Sequence, residues 1–356
     1  MLSIGTEPAR STAPEESCHL PGFPLANAPT ARPLADPRDV HFPYVGRRLE
    51  VPMDSPAMSH GDLPRYDRPN ETIAPPASAD AVLPWQQARG VIEKSTLSPG
   101  SQALLIALLR CGTTRIFPGG GAGIEYGSLL KTAARPDEIG GHIQEAADHL
   151  GQRAVDVVLV PGMSGYPIGS MYALAAGLPA LLLKKSRVSA AEAEQFPPGA
   201  FVIPSYTGEG DVVMSADPAA VADIVSTICE RQLSLQADLA TPVIHLRFAG
   251  ADDIIDKAVM SRAVGDSAGV IGRLAVEHWL TGWRERTGDT RTVETRVTLS
   301  AWVTPLLKGY NHPQNHLQEW FGIRAFAGLT IDNLSVDPPA IGIAGLGMLG
   351  FARGST

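Results

Sequence analysis

One stretch constrains this chain more than any other: VDVVLVPGMSGYPIGSMYALAAGLPALLL, from Val155 to Leu183. Val155–Val160 is an almost unbroken run of β-branched and aliphatic residues, the pattern of a strand covered on both faces. Pro161–Gly165 is a glycine loop. Pro167–Ala176 then reads as a helix closed by Gly177-Leu178-Pro179, and Ala180–Leu183 as a second buried strand. Strand, loop, helix and strand in that order predict a parallel sheet with right-handed crossovers, an α/β fold flanked by helices.

The remainder of the chain is consistent with that core. Ser98-Pro99 opens a predicted helix over Gly100–Cys111, and Pro136–Leu150 carries apolar residues near helical spacing. Asp217–Arg231 and Ser267–Trp283 read as helices, and Pro242–Phe248 as a strand. Residues 292–304 alternate like a half-exposed strand, and 325–350 mix short β-like runs with glycine. Proline sets the first boundary. Of 30 prolines, 15 precede residue 90, so residues 1–85 cannot be mostly helix or central sheet. They read as an extended arm, partly disordered, with Val40–Pro69 lying across a folded surface. The expected division is this arm, an α/β core over 86–290, and an α+β extension over 291–356.

Composition narrows the function. With 29 Lys+Arg against 37 Asp+Glu the net charge is −8, which argues against a general nucleic-acid binder. Cys18, Cys111 and Cys229 are too widely spaced for a metal knuckle or a disulfide framework, and read as reduced thiols of a cytoplasmic protein. No signal peptide is evident, and the longest apolar stretch, near Ala340–Ala352, is too short and glycine-rich for a membrane helix.

The loop VPGMSGYPIG aims backbone N–H groups and a helix dipole at whatever lies above it, a setting for an anion. It has neither the Lys-Ser/Thr of a Walker A loop nor dinucleotide glycine spacing. Ser164 is not in a Gly-x-Ser-x-Gly elbow, which excludes a typical α/β-hydrolase. His312 and His316 stand at i and i+4, but no Glu flanks the first and Pro313 points to a helix start there, so a cap or an acceptor contact is favoured over a metal site. Trp302, Tyr310, Trp320 and Phe321 cluster nearby as core or dimer contacts.

Taken in order, Phe117-Pro118-Gly119, Tyr126, Pro136, the loop Pro161–Gly165, Gly177-Leu178-Pro179, Lys184-Lys185 and Ser205–Asp211 resemble the type I phosphoribosyltransferases, particularly the orotate and adenine enzymes, over roughly Cys111–Trp283. The resemblance implies a helix-flanked parallel sheet with a hood. It also implies transfer of a 5-phosphoribosyl group from phosphoribosyl pyrophosphate (PRPP), with Mg²⁺, to a small acceptor such as a nitrogen heterocycle, and commonly a homodimer. Pro161, Gly162, Met163, Ser164, Gly165 and Tyr166 would hold the pyrophosphate. Lys184, Lys185 and Arg187 would meet the leaving group's charge, and residues 186–212 would form a closing loop. Asp252 and Asp253 would bind the ribose hydroxyls and the metal. The pattern breaks just beyond them: Asp256-Lys257-Ala258 stands where Thr and Gly are expected. Two placements of the phosphate turn stay open, one using Lys257 and one using the small residues from Gly265 to Gly269, with Ser267 and Gly269 as contacts. The arm and the C-terminal extension lie outside the resemblance and would form a hood suited to an unusual acceptor in specialised metabolism. The break also leaves room for a non-catalytic PRPP or nucleotide sensor with the same fold.

Overall fold

A computed structural model describes residues 57–67, 82–116, 122–131, 135–187, 195–204 and 210–352. The helices are α1 (Trp85–Ile92), α2 (Pro99–Cys111), α3 (Pro136–Gln152), α4 (Tyr166–Ala175), α5 (Pro218–Ser234), α6 (Val259–Thr287) and α7 (Pro313–Phe321). The main strands are β1 (Val157–Pro161), β2 (Ala180–Arg187), β3 (Phe201–Pro204), β4 (Asp211–Ser215), β5 (Val243–Ala251), β6 (Glu294–Lys308), β7 (Ala325–Val336), β8 (Pro339–Ile343) and β9 (Gly347–Gly350).

Five of these strands run parallel, in the spatial order β7-β6-β5-β1-β2. In chain order that is 2-1-3-4-5, a doubly wound arrangement whose direction of progression reverses between β1 and β5. Helices α2, α3 and α4 pack on one face around Val158, Val160, Ala249 and Val303. Helices α5, α6 and α7 cover the other around Val157, Leu159, Leu246 and Trp302. The inner strands are therefore apolar on both sides, and all five residues of β1 are buried.

Local signals explain most boundaries. Ser98 caps α2, its hydroxyl accepting from the Ser101 N–H at 3.2 Å. Asp217 caps α5 by accepting from Ala219 and Ala220 at 2.8 and 3.1 Å. Gly288 ends α6 in the left-handed region at φ 70°, where the lack of a Cβ removes the steric cost.

Three expectations change. Residues 292–304, read as a half-exposed strand, fall mostly within β6, which is half-exposed only over its first half and is a central strand paired with β5 and β7. The first half of β6 alternates because one face packs under α6, with Val297 against Gly272 and Leu299 in the core, whereas Ala301–Lys308 is buried throughout. The segment after residue 290 thus joins the main sheet: β7, β8 and β9 continue it, and Val82–Leu83 returns to pair with β9. The stretch 186–212, expected as a bare closing loop, holds the end of β2, the two-residue strand Gln195–Phe196, β3 and the start of β4, and β4 pairs antiparallel with both β2 and β3.

Within the arm, residues 57–67 run beside β3. The Tyr66 N–H donates to the Val202 carbonyl at 3.0 Å and the Val202 N–H to the Pro64 carbonyl at 2.9 Å. Leu63 packs with Phe196, Ala200, Val202 and Val213. Among the described residues no helix is long and apolar enough to cross a membrane.

Candidate functional site

In an open α/β sheet the crevice at the carboxyl ends of the strands, where the strand order reverses, is where ligands bind. Here that point lies between β1 and β5. It brings together two loops 90 residues apart: Gly162–Gly165 after β1, and Asp252-Asp253 after β5.

The first loop is pinned to the neighbouring strand. The Gly162 N–H donates to the Leu183 carbonyl at 3.2 Å, and the Tyr166 hydroxyl donates to the same carbonyl at 2.6 Å. Burial raises the Tyr166 phenol above its ordinary range, so it stays a donor. The Gly162–Met163 peptide is cis. Pro161 and Gly165 are buried, Ser164 is half-buried, and Met163 is 69% exposed. Helix α4 follows with Gly165 as its N-cap, no side-chain cap and no acid in its first turn. From Pro161 to Leu183 no side chain is charged. The N–H groups and the helix dipole are therefore offered to an anion with no carboxylate of the loop's own in competition.

Cations stand beside this loop because β2 outlasts its parallel pairing with β1. That pairing stops at Pro161–Leu183, and Lys184 and Lys185 follow immediately, opposite Ser215 and Met214 of β4. Lys184 is exposed and Lys185 half-exposed. Arg187 ends β2, but its side chain lies outside the described residues, as do residues 117–121 and 205–209 of the resemblance.

The second loop is an acidic pair removed from water. Asp252 is 9% exposed and Asp253 2%. Asp252 Oδ1 accepts from the Asp253 N–H at 2.9 Å. Asp253 Oδ2 accepts from the Tyr126 hydroxyl at 2.7 Å and lies 3.6 Å from Lys131 Nζ. Burial first, and the adjacent Asp253 charge second, hold the Asp252 carboxyl well above the usual carboxylate range, while Lys131 pulls the other way. The two loops touch: a Cβ built on Gly165 would stand 2.7 Å from Asp252 Oδ1.

Ile254–Ile255 pairs in parallel with Leu306–Leu307 of β6. That register sets Asp256 against Lys308, whose Nζ lies 2.9 Å from Asp256 Oδ2. Asn311 Nδ2 donates to the other carboxylate oxygen. Ala258 then adopts a left-handed conformation at φ 58° and starts α6 without a side-chain cap. Lys257 sits half-exposed in this turn.

The alternative phosphate turn does not exist. Gly265, Ser267 and Gly269 lie inside α6. Two of the three are explained by packing: the Phe321 ring occupies the space a Cβ on Gly265 would need, at 2.4 Å, and the buried Ser267 hydroxyl donates to the Gly199 carbonyl at 2.6 Å. Ser267 and Gly269 therefore leave the list of ligand contacts. The nearby aromatics are structural as well. Trp302 is fully buried, and Trp320 and Phe321 pack on the core of the same face. His312 precedes α7 and His316 stacks on Trp320 at 5.1 Å. Among the described residues no group of three or more His, Cys, Asp or Glu side chains is arranged to hold a metal.

Tyr126 and Lys131 were legible only as part of the resemblance or not at all. The Asp256–Lys308–Asn311 cluster joins residues 55 apart, and nothing local in the sequence announces it.

No family model matches the chain, and no curated protein matches it in sequence. Solved structures to which it is similar include adenine phosphoribosyltransferases. That of Saccharomyces cerevisiae is 13% identical, with a TM-score of 0.37 over 65% of this chain and 98% of that one. That of Rhodothermus marinus is 14% identical, with a TM-score of 0.36 over 65% and 99%. That of Giardia lamblia, complexed with 9-deazaadenine, is 14% identical, with a TM-score of 0.34 over 63% and 96%.

Proposed function

We propose that this chain is a pentosyltransferase. It would bind a ribose 1-diphosphate donor at the β1/β5 crevice and pass the ribosyl group to a small acceptor, with a nitrogen heterocycle the default expectation. The carrying observation is the contact of Gly165 with Asp252, which joins a loop fit for an anion to a buried acidic pair fit for vicinal hydroxyls. PRPP is the donor that the resemblance implies.

The reaction is displacement at the anomeric carbon. The acceptor's lone pair forms the new bond to C1, the C1–oxygen bond breaks, and the electron pair leaves on pyrophosphate. The difficulty lies in the charge that develops on the leaving group. The N–H groups of Met163–Gly165, the α4 dipole, Lys184 and Lys185 are the groups suited to meet it. Asp252 and Asp253 are suited to accept hydrogen bonds from the ribose hydroxyls, with Tyr126 and Lys131 fixing Asp253. The side chains of β4, which pairs with β2, and of β3 beyond it would help exclude water.

Mg²⁺ fits the donor chemistry. Magnesium takes oxygen ligands, keeps several waters, and is commonly held by one or two carboxylates plus substrate phosphates. Asp252 and Asp253 offer such oxygens, adjacent in the chain and both buried. When bound, the ion would supply charge neutralisation on the diphosphate oxygens.

A second reading, a non-catalytic sensor with the same fold, draws on Asp256-Lys257-Ala258 at the start of α6. Turnover decides between the two. Pyrophosphate release from a ribose 1-diphosphate donor in the presence of candidate acceptors supports the transferase. Mg²⁺-dependent donor binding that never yields pyrophosphate supports the sensor.

A further inference from the structure

Two helix N-termini face the strand-end crevice, and they are not alike. That of α4 has no acid in its own first turn, and the carboxylate beside its N-cap, Asp252, belongs to the other loop. That of α6, a helix of 29 residues beginning at Val259, is preceded three positions earlier by Asp256. This carboxylate is fixed on both oxygens, by Lys308 Nζ at 2.9 Å and by the amide nitrogen of Asn311. Lys308 and Asn311 are 5% and 8% exposed. Lys308 is thus already neutralised by the chain itself, and Lys257 in the same turn has a partner of its own.

The Asn311 side chain reaches this helix start with one arm used and one unused. Its Nδ2 is spent on Asp256, and its Oδ1 is buried with no hydrogen-bond partner. A buried acceptor left unpaired costs as much as a lost hydrogen bond and calls for a donor. A phosphate dianion has no hydrogen to give and would meet the oxygens of Asp256 and Asn311 instead. A hydroxyl supplies the missing donor.

From this we infer that the start of α6 selects a hydroxyl-bearing, unphosphorylated end of the donor sugar, with Asp256 and Asn311 as the specificity-determining residues. The inference rests on the diphosphate-donor reading above and deepens it. The donor class becomes a pentose 1-diphosphate with a free 5-hydroxyl, in place of PRPP.

The test titrates the full-length protein calorimetrically, with Mg²⁺, using inorganic pyrophosphate, ribose 1-diphosphate and PRPP. Pyrophosphate is expected to bind. Ribose 1-diphosphate is expected to bind at least about tenfold more tightly than PRPP, the effect of one buried hydrogen bond made rather than left unmade. Asn311→Leu is expected to narrow that ratio to about threefold or less, because the orphaned acceptor is gone. PRPP binding as tightly as ribose 1-diphosphate overturns the inference, and so does an unchanged ratio in Asn311→Leu. Pyrophosphate that fails to bind overturns the underlying diphosphate reading instead. The comparison of the two donors on the wild-type protein needs no variant, so a variant that does not fold leaves the inference open to refutation.

Discussion

Gly165 leaves no room for a side chain against Asp252. A Cβ at this position would stand 2.7 Å from Asp252 Oδ1 and 2.8 Å from the Pro161 carbonyl oxygen. The glycine is thus required by the approach of two loops rather than by its own backbone, which has an ordinary right-handed conformation at φ −74°. Gly165→Ala is expected to push the loops apart. Overpacking of this kind costs about 1–3 kcal/mol, readable as a lower urea midpoint. Pyrophosphate affinity should fall further than stability alone explains. A variant with wild-type stability and wild-type affinity would show that the contact is not needed.

Asp253 depends on Tyr126 for its position. The hydroxyl donates at 2.7 Å to a carboxylate that is 2% exposed. Hydrogen bonds to charged groups contribute about 1.5–3 kcal/mol, and Tyr126→Phe should lower unfolding free energy by that order. Weaker Mg²⁺-dependent pyrophosphate binding should accompany it. Loss of stability with unchanged binding would make Tyr126 a purely structural partner.

The Asp256–Lys308 pair predicts a non-additive mutant cycle. Removing one member of a buried ion pair leaves a bare charge, at a cost of about 3–5 kcal/mol, while replacing both with apolar residues is often close to neutral. Asp256→Leu is therefore expected to destabilise strongly, and the double variant Asp256→Leu/Lys308→Met to recover most of the loss in urea denaturation. Additive single-variant effects would contradict the geometry.

His142 gives the fold a pH dependence on the acid side. It is fully buried, and its Nε2 shares a 2.6 Å hydrogen bond with the Tyr172 hydroxyl. Burial takes its pKa from 6.5 down to about 4. The unfolded chain therefore binds the proton first, and stability rises with pH between those values. The contribution is complete above about pH 6.5, declines as pH falls, and levels off below about pH 4, for a total of about 3 kcal/mol. Asp252, held high, titrates with the opposite slope, so the measurement is the difference between wild type and His142→Gln. That difference should shrink between pH 6.5 and 4; a flat difference would show that His142 is not buried neutral.

The parallel unit was legible because Val157–Pro161 and Ala180–Leu183 are apolar on both faces, and periodicity records double burial. The acidic pair was legible because it follows a strand in the chain. The place of β6 was not: its first half, from Glu294 to Ser300, is covered on one face only and carries that alternation, and burial of Ala301–Lys308 comes from elements distant in the chain. Gly265–Gly269 misled because small residues in sequence signal a turn, while here they admit Phe321 and Gly199 against a long helix. The Asp256–Lys308–Asn311 cluster exists only through the pairing of Ile254–Ile255 with β6, a register that no local pattern encodes.

The most direct test of the central claim is calorimetric binding of inorganic pyrophosphate, with and without Mg²⁺, to wild type and to Asp252→Asn/Asp253→Asn. The account predicts Mg²⁺-dependent binding by the wild type and a loss of about tenfold or more in the double variant, as for removal of charge-assisted contacts. No binding by a folded wild-type protein, or equal binding by the double variant, would contradict it.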